Sequence, residues 1–320
     1  MIRSLNQLIA IARLTALEAS RQPIFLLLTT SVMVFIGLMP VLITHVIGDA
    51  ARMVRDSALA LQLVSGLILA CYAASATITR ELRQGTLASI VSKPIPRELF
   101  LLAKFTGVAF IMAAYALITT LATMLSVRTA SIAFVYDWWG IGPLLAAIFV
   151  AYAWSALQNF YTRVPFVSRA YLSLTLAVVA AFLVSCFIPA EYGETSFGAA
   201  LPWNIFPAGI LLAMAMILFS ALAVALATRL DMLPTVSLCL GLLLAGMMSD
   251  YLLGSRAHEG IIFALLYALV PNWQHYWAID ALHSGSIPLS YVGATAIYTI
   301  VYGSAVLACG LLSFRTMEVK

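Results

Sequence analysis

The chain has 320 residues, 63% hydrophobic and 9% charged, with a formal net charge of +4. Soluble domains run at roughly 45–50% and 25%, so these apolar residues do not fit one water-soluble core, and the slight positive excess is to be read by its distribution across loops rather than as a sign of nucleic-acid binding. In lipid, backbone polar groups pair only within helices or closed barrels, and uncharged runs near the roughly 20 residues that a bilayer requires select helices.

Taken in chain order, the first feature is an apolar stripe of Ile2, Leu5, Ile9, Ala12 and Ala16, with Arg3, Asn6, Arg13 and Arg21 mainly on another face. This predicts an amphipathic helix over residues 1–22 lying in the membrane interface. Pro23 and the polar Ser20-Arg21-Gln22 separate it from the next run. No small-residue cleavage site follows a short apolar region, so no cleaved signal peptide is expected.

The remaining residues, 23–320, read as a transmembrane domain. Eight runs are long enough to span: 23–47, 58–79, 100–125, 141–160, 170–190, 206–228, 232–253 and 291–314. Residues 261–270 are too few to cross and end at Pro271, which predicts a re-entrant or interfacial helix. With the N-terminus inside, thirteen of the seventeen Lys and Arg fall on the inner side, leaving Arg52, Arg55, Arg128 and Arg256 outside. That bias follows the preference of cytoplasmic loops for positive charge, and an even number of spans puts both termini in the cytoplasm. Trp138, Trp139, Trp203, Trp273 and Trp277 map near the outer face, as interfacial anchors do, while Trp154 lies inside a span. The expected fold is therefore an all-α polytopic membrane protein of about eight transmembrane helices.

Cys71, Cys186, Cys239 and Cys309 all sit in apolar runs with no CxxC spacing, and read as small core residues. Ala156-Leu157, Pro165 and Val167-Ser168 recur at the same spacing as Ala225-Leu226, Pro234 and Val236-Ser237. Either the fourth and fifth spans are a duplicate of the sixth and seventh, or a chain rich in Ala, Leu and Val repeats itself by chance.

The most charged segment is the inner loop over 80–98. Gly85 permits a turn, Thr86 can cap a short helix, and Leu87, Ile90 and Val91 follow at helical spacing until Pro94 and Pro96 stop it. Pro96 then opens the next helix, with Glu98 at the positive end of its dipole. A short helix held outside the bilayer, apolar on one side and polar on the other, suits the docking of a soluble motor. The plainer alternative is a solvated loop whose charges only set topology.

Glu81, Gly85-Thr86-Leu87, Ser92-Lys93-Pro94, Arg97, Phe100-Leu101-Leu102 and Lys104-Phe105 resemble the signature of type 2 ABC transporter permeases. The resemblance extends to the N-terminal helix, the first three spans, the pair flanking Arg229, and Pro271-Asn272. It implies that 80–98 carries a coupling helix contacting an ABC ATPase subunit, with Glu81, Arg83, Gly85, Thr86, Ser89 and Lys93 as the contact residues. It also implies a dimer with a second permease chain, identical or related, in the cytoplasmic membrane of a prokaryote. Such permeases commonly have six spans, and the additional material here is a helical hairpin inserted over 131–204.

A Walker A motif needs Gly-Lys followed by Ser or Thr, whereas Lys93, Lys104 and Lys320 follow Ser, Ala and Val. The chain is therefore expected to be non-catalytic and to hold no cofactor, with ATP and magnesium on the partner subunit. A secondary transporter would need ionisable groups near the midplane, where the second span offers only Gln62, Ser65, Ser75 and Thr77. A membrane scaffold keeping the permease fold is a further reading. A metal or haem site would have to use His45, His258, His275 and His283, of which the last two stand eight apart, a poor spacing for one helical face. Trp138-Trp139 reads as interfacial anchoring and Met247-Met248 as packing.

Overall fold

The computed structural model describes residues 2–43, 49–83, 96–130, 137–189, 196–256 and 260–315. These form α1 (Ile2–Ser20), α2 (Pro23–Leu42), α3 (Ala50–Arg83), α4 (Arg97–Thr129), α5 (Trp138–Thr162), α6 (Phe166–Phe187), α7 (Ile205–Ala227), α8 (Met232–Met247), α9 (Ile261–Leu269), α10 (Ile279–Ser284) and α11 (Leu289–Arg315). A π turn covers Asp250–Gly254 and a 3-10 turn covers Trp273–His275. Among the described residues no strand occurs, and seven helices, α2 to α7 and α11, are long and apolar enough to cross a membrane. The chain is an all-α, multi-pass membrane protein.

Two elements differ from the sequence expectation. The second span begins at Ala50 rather than 58, because the Asp49 carboxylate accepts from the Arg52 amide (3.1 Å) and caps the helix, while Arg55, buried within it, pairs with Asp56 (2.8 Å). The seventh expected span, 232–253, is α8 followed by the π turn. Side chains of the segment after α9 dock on its end: Trp273 Nε1 donates to the Leu242 carbonyl (3.0 Å), Gln274 Nε2 to the Met247 carbonyl (2.7 Å), and Asn272 Nδ2 to Asp250 Oδ1 (2.7 Å). The short helix expected near 261–270 is present as α9.

The chain forms two compact units, one of residues 1–16, 67–112 and 211–320, the other of 17–66 and 113–210. In the first, Trp273 is buried and stacks on Phe219 of α7 (4.1 Å between centroids), so it is a core residue and not the expected interfacial anchor. Tyr276 shares a hydrogen bond with Thr299 of α11 (2.8 Å).

In the second unit the residues expected to form an inserted hairpin form α5 and α6, which pack together and turn at Arg163, whose φ is 55°. Two carbonyls here lie four residues before a proline inside a helix and so lose their helical N–H partner. Each is supplied from a neighbouring helix. Pro40 frees the Ile36 carbonyl, which accepts from Ser126 Oγ of α4 (2.5 Å). Pro143 frees the Trp139 carbonyl, which accepts from Ser185 Oγ of α6 (3.1 Å). The Ser185 carbonyl, in the last turn of α6, accepts from the Ile188 amide (3.4 Å) and from Arg128 Nη1 (2.6 Å).

Arg128 is therefore not a loop residue, as its expected outer position implied. It sits in the last turn of α4, 1% exposed, with Nε paired to Asp137 (2.8 Å). Asp137 in turn caps α5 through the Trp139 amide (3.0 Å). The approach of α4 to α5 needs a glycine: a Cβ on Gly140 would lie 2.3 Å from Thr129 Oγ1 and 2.4 Å from the Leu125 carbonyl.

Ser126→Ala should leave the Ile36 carbonyl unsatisfied in the interior, at a cost of about 1–3 kcal/mol in thermal unfolding of the purified protein in detergent. In a Pro40→Ala background the restored amide answers Ile36, so the same substitution should cost clearly less. Equal losses in both backgrounds would contradict this account.

Candidate coupling site

The structure places Glu81 and Arg83 in the last turn of α3, while Gly85, Thr86, Ser89 and Lys93, with the expected short helix, lie outside the described residues. None of the six is thus brought into a described side-chain contact. What the structure does describe is the pair of helical stems that carry the segment. α3 has 34 residues and α4 has 33, about 50 Å each at 1.5 Å per residue. A hydrocarbon core is about 30 Å thick, so both helices are long enough to stand clear of it.

The stems are joined to each other. Lys104 is 1% exposed; its Nζ donates to the Thr77 carbonyl of α3 (3.3 Å) and lies 5.6 Å from the Phe100 ring centroid. A buried ammonium is costly unless hydrogen-bonded, and a carbonyl with an aromatic face meets that need. Phe100 stacks on Phe314 of α11 (6.1 Å).

Around the end of α11 three guanidinium groups converge. Arg97 Nη1 donates to the carbonyls of Phe314 (3.4 Å) and Arg315 (3.1 Å), and Arg229 donates through Nη2 to the Ser313 carbonyl (2.7 Å) and through Nε to Ser313 Oγ (3.1 Å). Arg315 itself pairs with Glu98 in the first turn of α4. The last carbonyls of a helix have no partner within it and carry the negative end of its dipole, so cations are held there favourably. Sequence reasoning saw Arg97, Lys104 and Arg229 singly but not their convergence with Arg315. The available signal was that each cation falls at a helix end or one to two turns from it.

The N-terminal helix meets this frame through its small residues. A Cβ on Gly107 would sit 2.5 Å from the Ala12 carbonyl and 2.6 Å from Thr15 Cβ, so α1 and α4 touch backbone to backbone. Ala12 and Thr15 are buried, while Leu5 and Ile9 are exposed. The packing face is thus the small-residue face, and Leu5 and Ile9 of the predicted apolar stripe point outward. Elsewhere, His275 and Tyr298 pack ring edge to face (5.1 Å), and no group of three His, Cys, Asp or Glu could hold a metal among the described residues. Comparison with protein-family models and with curated proteins finds no match.

Gly107→Leu should detach α1, since overpacking costs about 1–3 kcal/mol. Cleavage that tracks the open population should then speed trypsin cutting at Arg13 and Arg21 at least fivefold, with unchanged helix content by circular dichroism. Unchanged cleavage would show that this contact does not hold α1.

Proposed function

We propose that this chain is the non-catalytic membrane-spanning subunit of an ABC transporter, moving a substrate across the cytoplasmic membrane of a prokaryote with ATP hydrolysed by a separate subunit. The observation that carries the reading is the segment over 80–98. Its residues resemble the permease coupling loop, and it is strung between two helices long enough to overrun the hydrocarbon and locked together by Lys104 and Thr77. The functional unit on this reading has two permease chains and two ATPase subunits, with ATP and magnesium bound by the latter.

The mechanism follows from stiffness. A soluble motor works on a membrane domain only if the element it pushes is rigidly connected to the spans. Displacement of the coupling segment reaches α3 and α4 together, because their stems share the Lys104–Thr77 bond and the Phe100–Phe314 stack.

Docking depends on the orientation of a helix more than on any one exposed ion pair, which contributes about 0–1 kcal/mol. Ala88→Pro should therefore abolish recovery of the partner ATPase in pull-downs while the spans still insert, since a mid-helix proline costs roughly 3 kcal/mol. Glu81→Arg should weaken recovery and make it more sensitive to salt. Equal recovery by wild type and both variants would remove the loop from the mechanism.

The orientation is testable on its own. In a cysteine-free background, Ser196→Cys and Ser255→Cys, both exposed, should react with an impermeant maleimide in intact cells, and Gln84→Cys should not. Labelling at position 84 would reverse the topology.

A further inference from the structure

Within the unit of residues 1–16, 67–112 and 211–320, an apolar cleft of about 370 Å³ opens between α4, α7 and α11, lined among others by Phe105, Leu218, Ala221, Thr299, Gly303 and Leu307. All three helices are membrane-spanning in length and composition, so the cleft faces hydrocarbon. Gly303 contributes to the opening: a Cβ there would meet only Leu218 Cδ1, at 3.9 Å.

Each wall of the cleft leads to one of the converging arginines. Phe105 stands eight residues from Arg97, Ala221 eight from Arg229, and Leu307 eight from Arg315, about 12 Å along each helix. Arg97 and Arg229 donate to the last carbonyls of α11, Arg315 pairs with Glu98, and Arg229 and Arg315 reach the surface. Among the described residues, Glu98 and Asp231 offset two of the three positive charges. The hydrocarbon half of a bilayer is about 15 Å deep, so an acyl chain descending from a headgroup at the arginines enters the cleft within its own leaflet.

We propose that the cleft and the arginines of α4, α7 and α11 form one binding site for an anionic phospholipid, with the phosphate at Arg97, Arg229 and Arg315 and an acyl chain against Gly303. Basic pockets between spanning helices have the chemistry to hold such headgroups. The site stands whether or not an ATPase docks on 80–98, and the lipid is a resident ligand rather than the transported substrate.

The test is native mass spectrometry of the full chain, delipidated in detergent and titrated with palmitoyl-oleoyl phosphatidylglycerol, the matching phosphatidylcholine, or glycerol phosphate. The wild type should retain phosphatidylglycerol at roughly tenfold lower concentration than phosphatidylcholine, and should bind no glycerol phosphate over the same range. At about a fivefold effect per arginine, Arg229→Gln should weaken phosphatidylglycerol retention while leaving phosphatidylcholine unchanged. Gly303→Leu should weaken retention through the chain, and Arg163→Gln, at an exposed turn of the other unit, should behave as wild type. Helix content by circular dichroism and thermal midpoint identify any variant that fails to fold, and the comparison of the three ligands on wild type does not depend on them. Equal retention of the two lipids would reduce the cleft to a lipid-solvated groove, and binding of glycerol phosphate alone would make the arginines a soluble-phosphate site. Either result overturns the proposal.

Discussion

A carbonyl that loses its helical partner in hydrocarbon has no water to turn to, and this requirement accounts for several interhelical contacts among the described residues. Pro40 and Pro143 each free such a carbonyl, and Ser126 and Ser185 from neighbouring helices answer them, while Arg128 takes a carbonyl in the last turn of α6. These bonds tie α2 to α4, α5 to α6, and α6 to α4, so the prolines that break the helical ladders also set the first two of these pairings. The same logic operates at helix ends, where Gln274 takes the last carbonyl of α8 and Arg97 and Arg229 take those of α11.

Charge follows the same rule. Lys104 and Arg128 are almost fully buried, and each is held by carbonyl oxygens together with an aromatic ring or a carboxylate. Removing one partner of such a set leaves an uncompensated charge inside, which is far more damaging than the loss of an exposed pair. Lys104 lies where α3 and α4 converge on the charged segment, so the interaction that stabilises the stems is also the one that would carry mechanical work from a docked subunit to the spans.

Seven spans were legible because hydropathy over about 20 residues is a strong signal, and the ends of α5, α7 and α11 fall within three residues of expectation. The start of α3 was hidden by Arg52, Arg55 and Asp56, which look like loop charges until Asp49 is recognised as a cap. The break after α8 was illegible because it depends on Trp273, Gln274 and Asn272, which follow in a separate segment. Burial of Arg128 and Trp273 was missed for a related reason: interfacial preference describes a residue type, whereas a partner 50 or more residues away decides the individual case. At the proposed coupling site, the segment and its residues were readable from spacing and resemblance. The frame of Lys104, Arg97, Arg229 and Arg315 was not, because its bonds join residues 27 to 217 apart in sequence.

The most direct measurement is photocrosslinking from a benzoylphenylalanine placed at Ser89 in membranes of the native host, with the adduct identified by peptide mass spectrometry. The account predicts a crosslink to a polypeptide that carries a Walker A sequence and hydrolyses ATP, and loss of that adduct when Ala88→Pro is added. Adducts to lipid alone, or a purified chain that hydrolyses ATP with no second polypeptide present, would contradict it.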